Sequence, residues 1–147
     1  MRQRQPGTLS VWQVVELARH AERPYSLDYI RRLAPDFVEY HGDRLGADDA
    51  ALVGGVGTWN SRTTMFLGQQ KGRNFPERVR RNFGMMHPEG YRKAIRLARP
   101  AAKFGFPIAC LVHPPGPHPG PRAQGPGLPG AAPRGIRPWC PTPGPAA

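Results

Sequence analysis

The side chains best suited to chemistry stand at Gln70-Lys71-Gly72-Arg73, where two cations flank a glycine. Lysine and arginine beside glycine can turn positive charge and backbone N–H donors toward a phosphate or carboxylate. These four residues are the candidate substrate- or anion-binding group. They also fit a solvated loop whose cations pair with acids of this or a partner subunit. His41-Gly42-Asp43-Arg44 gathers an imidazole, a carboxylate and a guanidinium. Here a turn is expected instead, fixed by Asp43 and Arg44, with Gly42 supplying the unusual backbone angle. Cys110, His113, His118 and Cys140 follow no zinc-ligand spacing, so no metal site is expected. Gly55-x-Gly57 is followed by Asn60 where a dinucleotide fingerprint needs glycine, and Gly68-Gln-Gln-Lys71 lacks P-loop spacing.

The positive charge is concentrated around the candidate group. Residues 1–67 carry eight arginines and eight acids. Between Gly68 and Val112 stand ten Lys and Arg against Glu77 and Glu89 alone, and this segment supplies most of the net +11. The elements that must hold the cations can be read from periodicity. Ser10 and Gln13 form a capping-box pattern that opens a helix with Val11, Val14, Val15 and Ala18 on one face, ending near His20. After Pro24, Ser26 is expected to cap a second short helix with Leu27, Ile30 and Leu33 inward, stopped by Pro35. Ala51–Trp59 and Arg62–Gly68, separated by Asn60-Ser61, read as a β-hairpin. Gly54, Gly55 and Gly57 weaken the first strand but permit a bulge or close backbone approach.

Pro88 suits the first turn of a longer helix. Its apolar face is expected at Tyr91, Ala94, Ile95, Ala98 and Ala102, with Arg92, Arg96, Arg99 and Lys103 on a basic face. Pro100 should kink that helix or end it early, because proline removes an amide and clashes with the preceding turn. Ile108–Val112 reads as a short buried strand.

Several ordered blocks carry a family resemblance: Leu17-Ala18-Arg19-His20, Arg23-Pro24-Tyr25, Leu27-Asp28-Tyr29, His41-Gly42-Asp43-Arg44, Gln70-Lys71-Gly72-Arg73, Arg80-Arg81-Asn82-Phe83-Gly84-Met85 and His87-Pro88-Glu89-Gly90-Tyr91-Arg92-Lys93-Ala94. Over residues 11–120 the chain resembles the alpha subunit of bacterial-type acetyl-coenzyme A carboxylase carboxyltransferase. The resemblance implies an α/β fold, part of a crotonase-like ββα-repeat domain preceded by helices. It also implies transfer of a carboxyl group from carboxybiotin, on a separate carrier protein, to acetyl-coenzyme A, giving malonyl-coenzyme A for fatty acid synthesis. ATP would be used by a separate biotin carboxylase. The implied partners are a beta subunit in an alpha2-beta2 assembly, the biotin carboxyl carrier protein and biotin carboxylase. The family's biotin-side oxyanion segment lies downstream of the matched stretch, so no catalytic residue is expected in this chain, which is read as truncated and inactive alone. Gln69 stands where the family has histidine, which argues against acid–base chemistry at that point.

The expected organisation is a flexible N-terminus over 1–9, a partial carboxyltransferase domain over 10–112, and a degenerate tail over 113–147. That tail holds 12 of the 19 prolines and 7 of the 18 glycines. In it His113-Pro114-Pro115-Gly116-Pro117-His118-Pro119-Gly120 keeps four of eight family residues. The other four each differ by one first-base change to cytosine, so the register persists while the chemistry is lost. No apolar run reaches the ~18 residues of a membrane span, and the polar start has no signal-peptide core. A cytoplasmic protein is expected, without membrane or sequence-specific nucleic-acid contact. Two other readings stay open: a basic nucleic-acid-binding protein, and a non-catalytic fragment that binds a beta-type subunit.

Overall fold

The computed structural model describes residues 10–112 apart from Arg19 and Ala21. The expected N-terminal and Pro/Gly-rich segments, with His113, His118 and Cys140, lie outside these described residues. Helix α1 spans Val11–Ala18 and α2 spans Ser26–Leu33; strand β1 is Val38–Glu39, β2 is Leu52–Trp59 and β3 is Arg62–Gln69. Helix α3 covers Phe75–Arg80, α4 covers Pro88–Phe104, and β4 is Ile108–Leu111. The four strands lie in chain order, β1-β2-β3-β4, antiparallel except for the last pair. Because β3 and β4 run parallel, α4 is the crossover between them, as a parallel pair requires.

The hairpin forms where periodicity put it. Asn60 and Ser61 both adopt positive φ, 49° and 60°, as the tight turn between twisted strands demands. The β2–β3 ladder is continuous from Leu52↔Gln69 to Trp59↔Arg62, so the glycines of β2 mark close approach and no bulge. A Cβ on Gly54 would stand 2.4 Å from Leu97 of α4, and one on Gly57 would stand 2.7 Å from Ala34 after α2. The sheet is thereby covered on both faces. Ile30, Ala34, Val53 and Phe66 form one buried cluster under α2, and Met65, Leu67, Leu97 and Ala101 form another under α4.

Three local expectations change. Ser26 is the first residue of α2, and Tyr25 is the N-cap. The Asp28 carboxylate accepts the Tyr25 N–H at 2.8 Å, which frees the Ser26 hydroxyl to donate to the Gln69 carbonyl at 2.6 Å. Of the α2 residues expected inward, Ile30 is fully buried, Leu27 half-buried and Leu33 exposed. Helix α1 caps as expected, with Ser10 Oγ accepting the Gln13 N–H at 3.3 Å, yet Val11, Trp12, Val14 and Leu17 remain exposed.

Helix α4 departs most. Its buried line is Gly90, Lys93, Leu97, Ala98 and Ala101, about one residue around from the expected apolar face; Ala102 is exposed. Pro100 neither ends nor shortens the helix, which runs on to Phe104 and closes at left-handed Gly105. Burial of Leu97 and Ala101 against the sheet offsets the backbone penalty of a proline one turn before the helix end. That penalty is still carried by the folded state. Pro100→Ala should therefore raise stability by about 1–3 kcal/mol, read as a higher melting temperature with more helical circular dichroism. An unchanged melting temperature would mean that the ring is held without strain.

Candidate functional site

The Gln70–Arg73 loop leaves the end of β3 and enters α3, whose N-cap Asn74 accepts the Glu77 N–H at 2.9 Å. The four candidate residues come together, but their roles differ. Gln70 is buried and acts as a clasp: its N–H donates to the Ala51 carbonyl at 2.9 Å, and its Oε1 accepts the Leu27 N–H at 2.9 Å. The amide of Gln70 also donates to the Lys71 carbonyl at 3.0 Å. Gly72 is required by space, since a Cβ there would lie 2.3 Å from the backbone of both Glu77 and Arg78. Its carbonyl accepts the Arg78 Nε at 3.1 Å.

Arg73 pairs with Asp28 of α2 and lies 5.0 Å from the centre of the Tyr25 ring, a cation–π arrangement. Its N–H donates to Glu77 Oε2 at 3.0 Å, which together with Arg81 holds the Glu77 carboxyl below its ordinary range. Lys71 is half-buried and makes no ion pair among the described residues. Arg73 also lines an open cleft of about 370 Å³ with Pro24, Asp28, Tyr29, Arg31 and Arg32. Asp28, Tyr29, Arg31 and Arg32 of α2 carry no binding expectation from the sequence. The signal available was the run Asp28-Tyr29-Ile30-Arg31-Arg32, which puts an acid, a ring and two cations on one short helix.

The His41–Arg44 segment is the expected turn. Gly42 and Arg44 adopt positive φ, 80° and 66°, and Asp43 Oδ1 accepts the N–H groups of Leu45 at 2.7 Å and Ala47 at 3.1 Å. Asp43 Oδ2 takes the Arg92 guanidinium at 2.7 Å. Burial pushes the Asp43 carboxyl up, but the bonds from Leu45, Ala47 and Arg92 outweigh it and hold it below the usual value. Arg96 donates to the His41 carbonyl at 3.1 Å.

Lys93 stands on neither of the two faces expected for α4. Counted among the charges of the basic segment, it is fully buried; its Nζ donates to the Leu52 carbonyl at 2.9 Å and pairs with Asp48 at 2.8 Å. The Asp48 carboxyl is raised by burial but lowered more by Lys93, Gly42 and His41, reaching about 2. Arg81 is likewise buried, against Glu77 and the Ala50 carbonyl. Asp49 is pushed up by burial, partly opposed by N–H donors from Ala51 and His87. The expected basic face therefore splits. Arg92 and Arg96 are spent on the turn, while Arg99 is exposed and Lys103 lies 5.5 Å from the Phe104 ring centre. Among the described residues no three potential metal ligands cluster, and no helix is long and apolar enough to cross a membrane.

Residues 1–139 match the family described as acetyl co-enzyme A carboxylase carboxyltransferase-like. The chain is 58% identical over 118 residues to acetyl-coenzyme A carboxylase carboxyl transferase subunit alpha of Halorhodospira halophila, covering 80% of this chain and 37% of that one. It is 54% identical over 116 residues to the same subunit of Thioalkalivibrio sulfidiphilus, covering 79% and 36%. The chain thus spans little more than a third of these relatives' length. Among solved structures, the beta subunit of P. aeruginosa geranyl-CoA carboxylase matches with a TM-score of 0.58 at 16% identity, over 86% of this chain and 25% of that one. The transcarboxylase 12S structure matches with a TM-score of 0.53 at 13% identity, over 85% and 24%. At these identities the likeness is one of fold, the crotonase-like fold expected.

Two tests separate architecture from binding at this site. Gln70→Ala should cost about 1–3 kcal/mol in urea unfolding, because the Leu27 N–H loses its acceptor. Lys71→Ala should stay within about 0.5 kcal/mol of the parent. Equal losses would make Lys71 part of the scaffold and remove it as a ligand candidate. At the turn, Asp48→Ala strands the Lys93 ammonium. The loss should be roughly 2–3 kcal/mol, short of the ~3–5 of an enclosed pair because Asp48 keeps 36% of its side chain exposed. Since the folded carboxyl titrates near 2, below its unfolded value, its contribution is present above about pH 4 and is lost as pH falls toward 2. Asp48→Asn should flatten that part of the acid unfolding curve; an unaltered curve would assign the acid limb to other carboxylates.

Proposed function

The chain belongs to the acetyl-coenzyme A carboxylase carboxyltransferase family, and we propose that it serves as a segment of the alpha subunit. The reaction of that enzyme would move a carboxyl group from carboxybiotin, borne by a separate carrier protein, to acetyl-coenzyme A. The observation that carries this reading is 58% identity over 118 residues, 80% of this chain. The fold agrees, because the β3–α4–β4 crossover is the parallel unit of which crotonase-like domains are built.

The residues described here would supply scaffold and charge. In this reading the paired backbone donors that stabilise the enolate-like states belong to a glycine-rich segment C-terminal to the matched residues, and no residue of this chain is assigned a proton transfer. Gln70 and Gly72 shape the loop after β3, and Lys71 is the cation it leaves unspent. A beta subunit, the biotin carboxyl carrier protein and biotin carboxylase are the proposed partners, with ATP consumed by the last of these.

The nucleic-acid reading loses its main support. Arg73, Arg81, Arg92, Lys93 and Arg96 are bound within the protein, which leaves Arg99 and Lys103 as the exposed remainder of the basic strip on α4. Duplex DNA would be held mainly by counterion release, losing about 0.9 log units of affinity per phosphate contact for each log unit of salt. A beta subunit would bury apolar surface as well. The chain should accordingly bind a carboxyltransferase beta subunit with an affinity that persists at near-physiological salt, and DNA only at low salt. Titrating both partners at the two salt concentrations decides it. Sequence-selective DNA binding at the higher salt, without beta-subunit binding, would overturn the assignment.

A further inference from the structure

We propose that the cleft between α2 and the Arg73 loop binds a small organic phosphomonoester bearing a flat ring, of which a nucleoside monophosphate is the simplest form. The inference does not rest on the carboxyltransferase reading. Three arginines, Arg31, Arg32 and Arg73, and a single acid, Asp28, line a cleft of about 370 Å³. That carboxylate is already engaged by Arg73, whose guanidinium is further held over the Tyr25 ring. Arg31 and Arg32 are exposed and make no ion pair among the described residues. The cleft is therefore two charges positive.

The charge decides the ligand class. A phosphomonoester carries about −1.5 to −2 at pH 7 and presents three acceptor oxygens, which suits two unspent guanidinium forks. A carboxylate, with one charge, would leave one arginine uncompensated. The volume lies within the ~300–1,000 Å³ range of small-molecule sites, so a mononucleotide-sized body is accommodated. Tyr29, 42% exposed, lines the same cleft and puts an aromatic ring beside the charges, where a planar group of the ligand can stack. Pro24 gives the wall a rigid apolar boundary. Arg73 acts as the fixed point of the site, because its pairing and ring contact hold its guanidinium at the lip before a ligand arrives.

The test is titration of the full chain with AMP, adenosine and inorganic phosphate by calorimetry or by NMR of the arginine side chains. AMP should bind about tenfold or more tightly than either of its parts, and its affinity should fall below about pH 6, where the phosphate becomes a monoanion. The double variant Arg31→Ala/Arg32→Ala should weaken AMP by about tenfold or more, whereas Arg99→Ala, a cation exposed elsewhere, should leave it unchanged. Tyr29→Ala should weaken AMP but not inorganic phosphate. Melting temperatures of the variants establish that each is folded. The proposal is overturned if AMP binds no better than adenosine, or if Arg99→Ala weakens it as much as the double variant. Preference for a single-stranded oligonucleotide over AMP by more than the gain in charge would overturn it as well, in favour of an extended nucleic-acid surface.

Discussion

One ammonium group fixes the crossover helix. Lys93 is fully enclosed between α4 and the start of β2, and its charge is met by Asp48 and the Leu52 carbonyl. Such a pair adds little net stability over an apolar replacement, because desolvation consumes most of the Coulomb gain. What it contributes is register. A helix turned by one residue would leave the ammonium without partners inside the protein, at a cost no neighbouring packing could offset. Gly54 is the complementary constraint, since Leu97 enters the space its missing side chain leaves open.

From that anchor the polar groups of the 41–49 turn fall into place. Asp43 and Arg92, His41 and Arg96, and Asp49 with the His87 N–H connect the turn to the first turns of α4 at separate points. Two of these contacts use cations, Arg92 and Arg96, from a segment whose composition alone suggests a binding surface for polyanions. A high net positive charge is a statement about the long-range field and solubility. It does not say which cations remain available. Here the fold engages Arg73, Arg78, Arg81, Arg92, Lys93 and Arg96 internally, which leaves Arg99 and Lys103 exposed on α4 and Arg31 and Arg32 exposed on α2 beside Arg73.

The two ends of the described region behave differently from its centre. Helix α1 has a well-formed N-terminal cap yet leaves Val11, Trp12, Val14 and Leu17 exposed, so its apolar stripe finds no packing partner among the described residues. The hairpin and α4, by contrast, bury their apolar stripes on each other and on α2. Periodicity predicts both kinds of helix equally well, because it measures the amphipathic pattern and not what covers it.

The sequence by itself determined the elements whose signals are local. The Asn60-Ser61 turn, the Ser10–Gln13 cap, Pro88 at the head of α4 and the Gly42 turn each follow from backbone preferences of a few adjacent residues. The ordered motif blocks determined the family as well, and with it the class of fold. The tertiary structure decided what depends on residues distant in the chain. It set which side of α4 faces the sheet, that Lys93 is enclosed while Arg99 is not, that Pro100 stays within the helix, and that Tyr25 takes the cap position assigned to Ser26. It also joined Arg31 and Arg32 to Arg73, some forty residues away, in one cleft. The physical reason is common to all of these. Pattern and propensity act over one or two turns of chain, whereas the cost of burying a charge, or of leaving an amide unpaired, is set by groups that only the folded topology brings within reach.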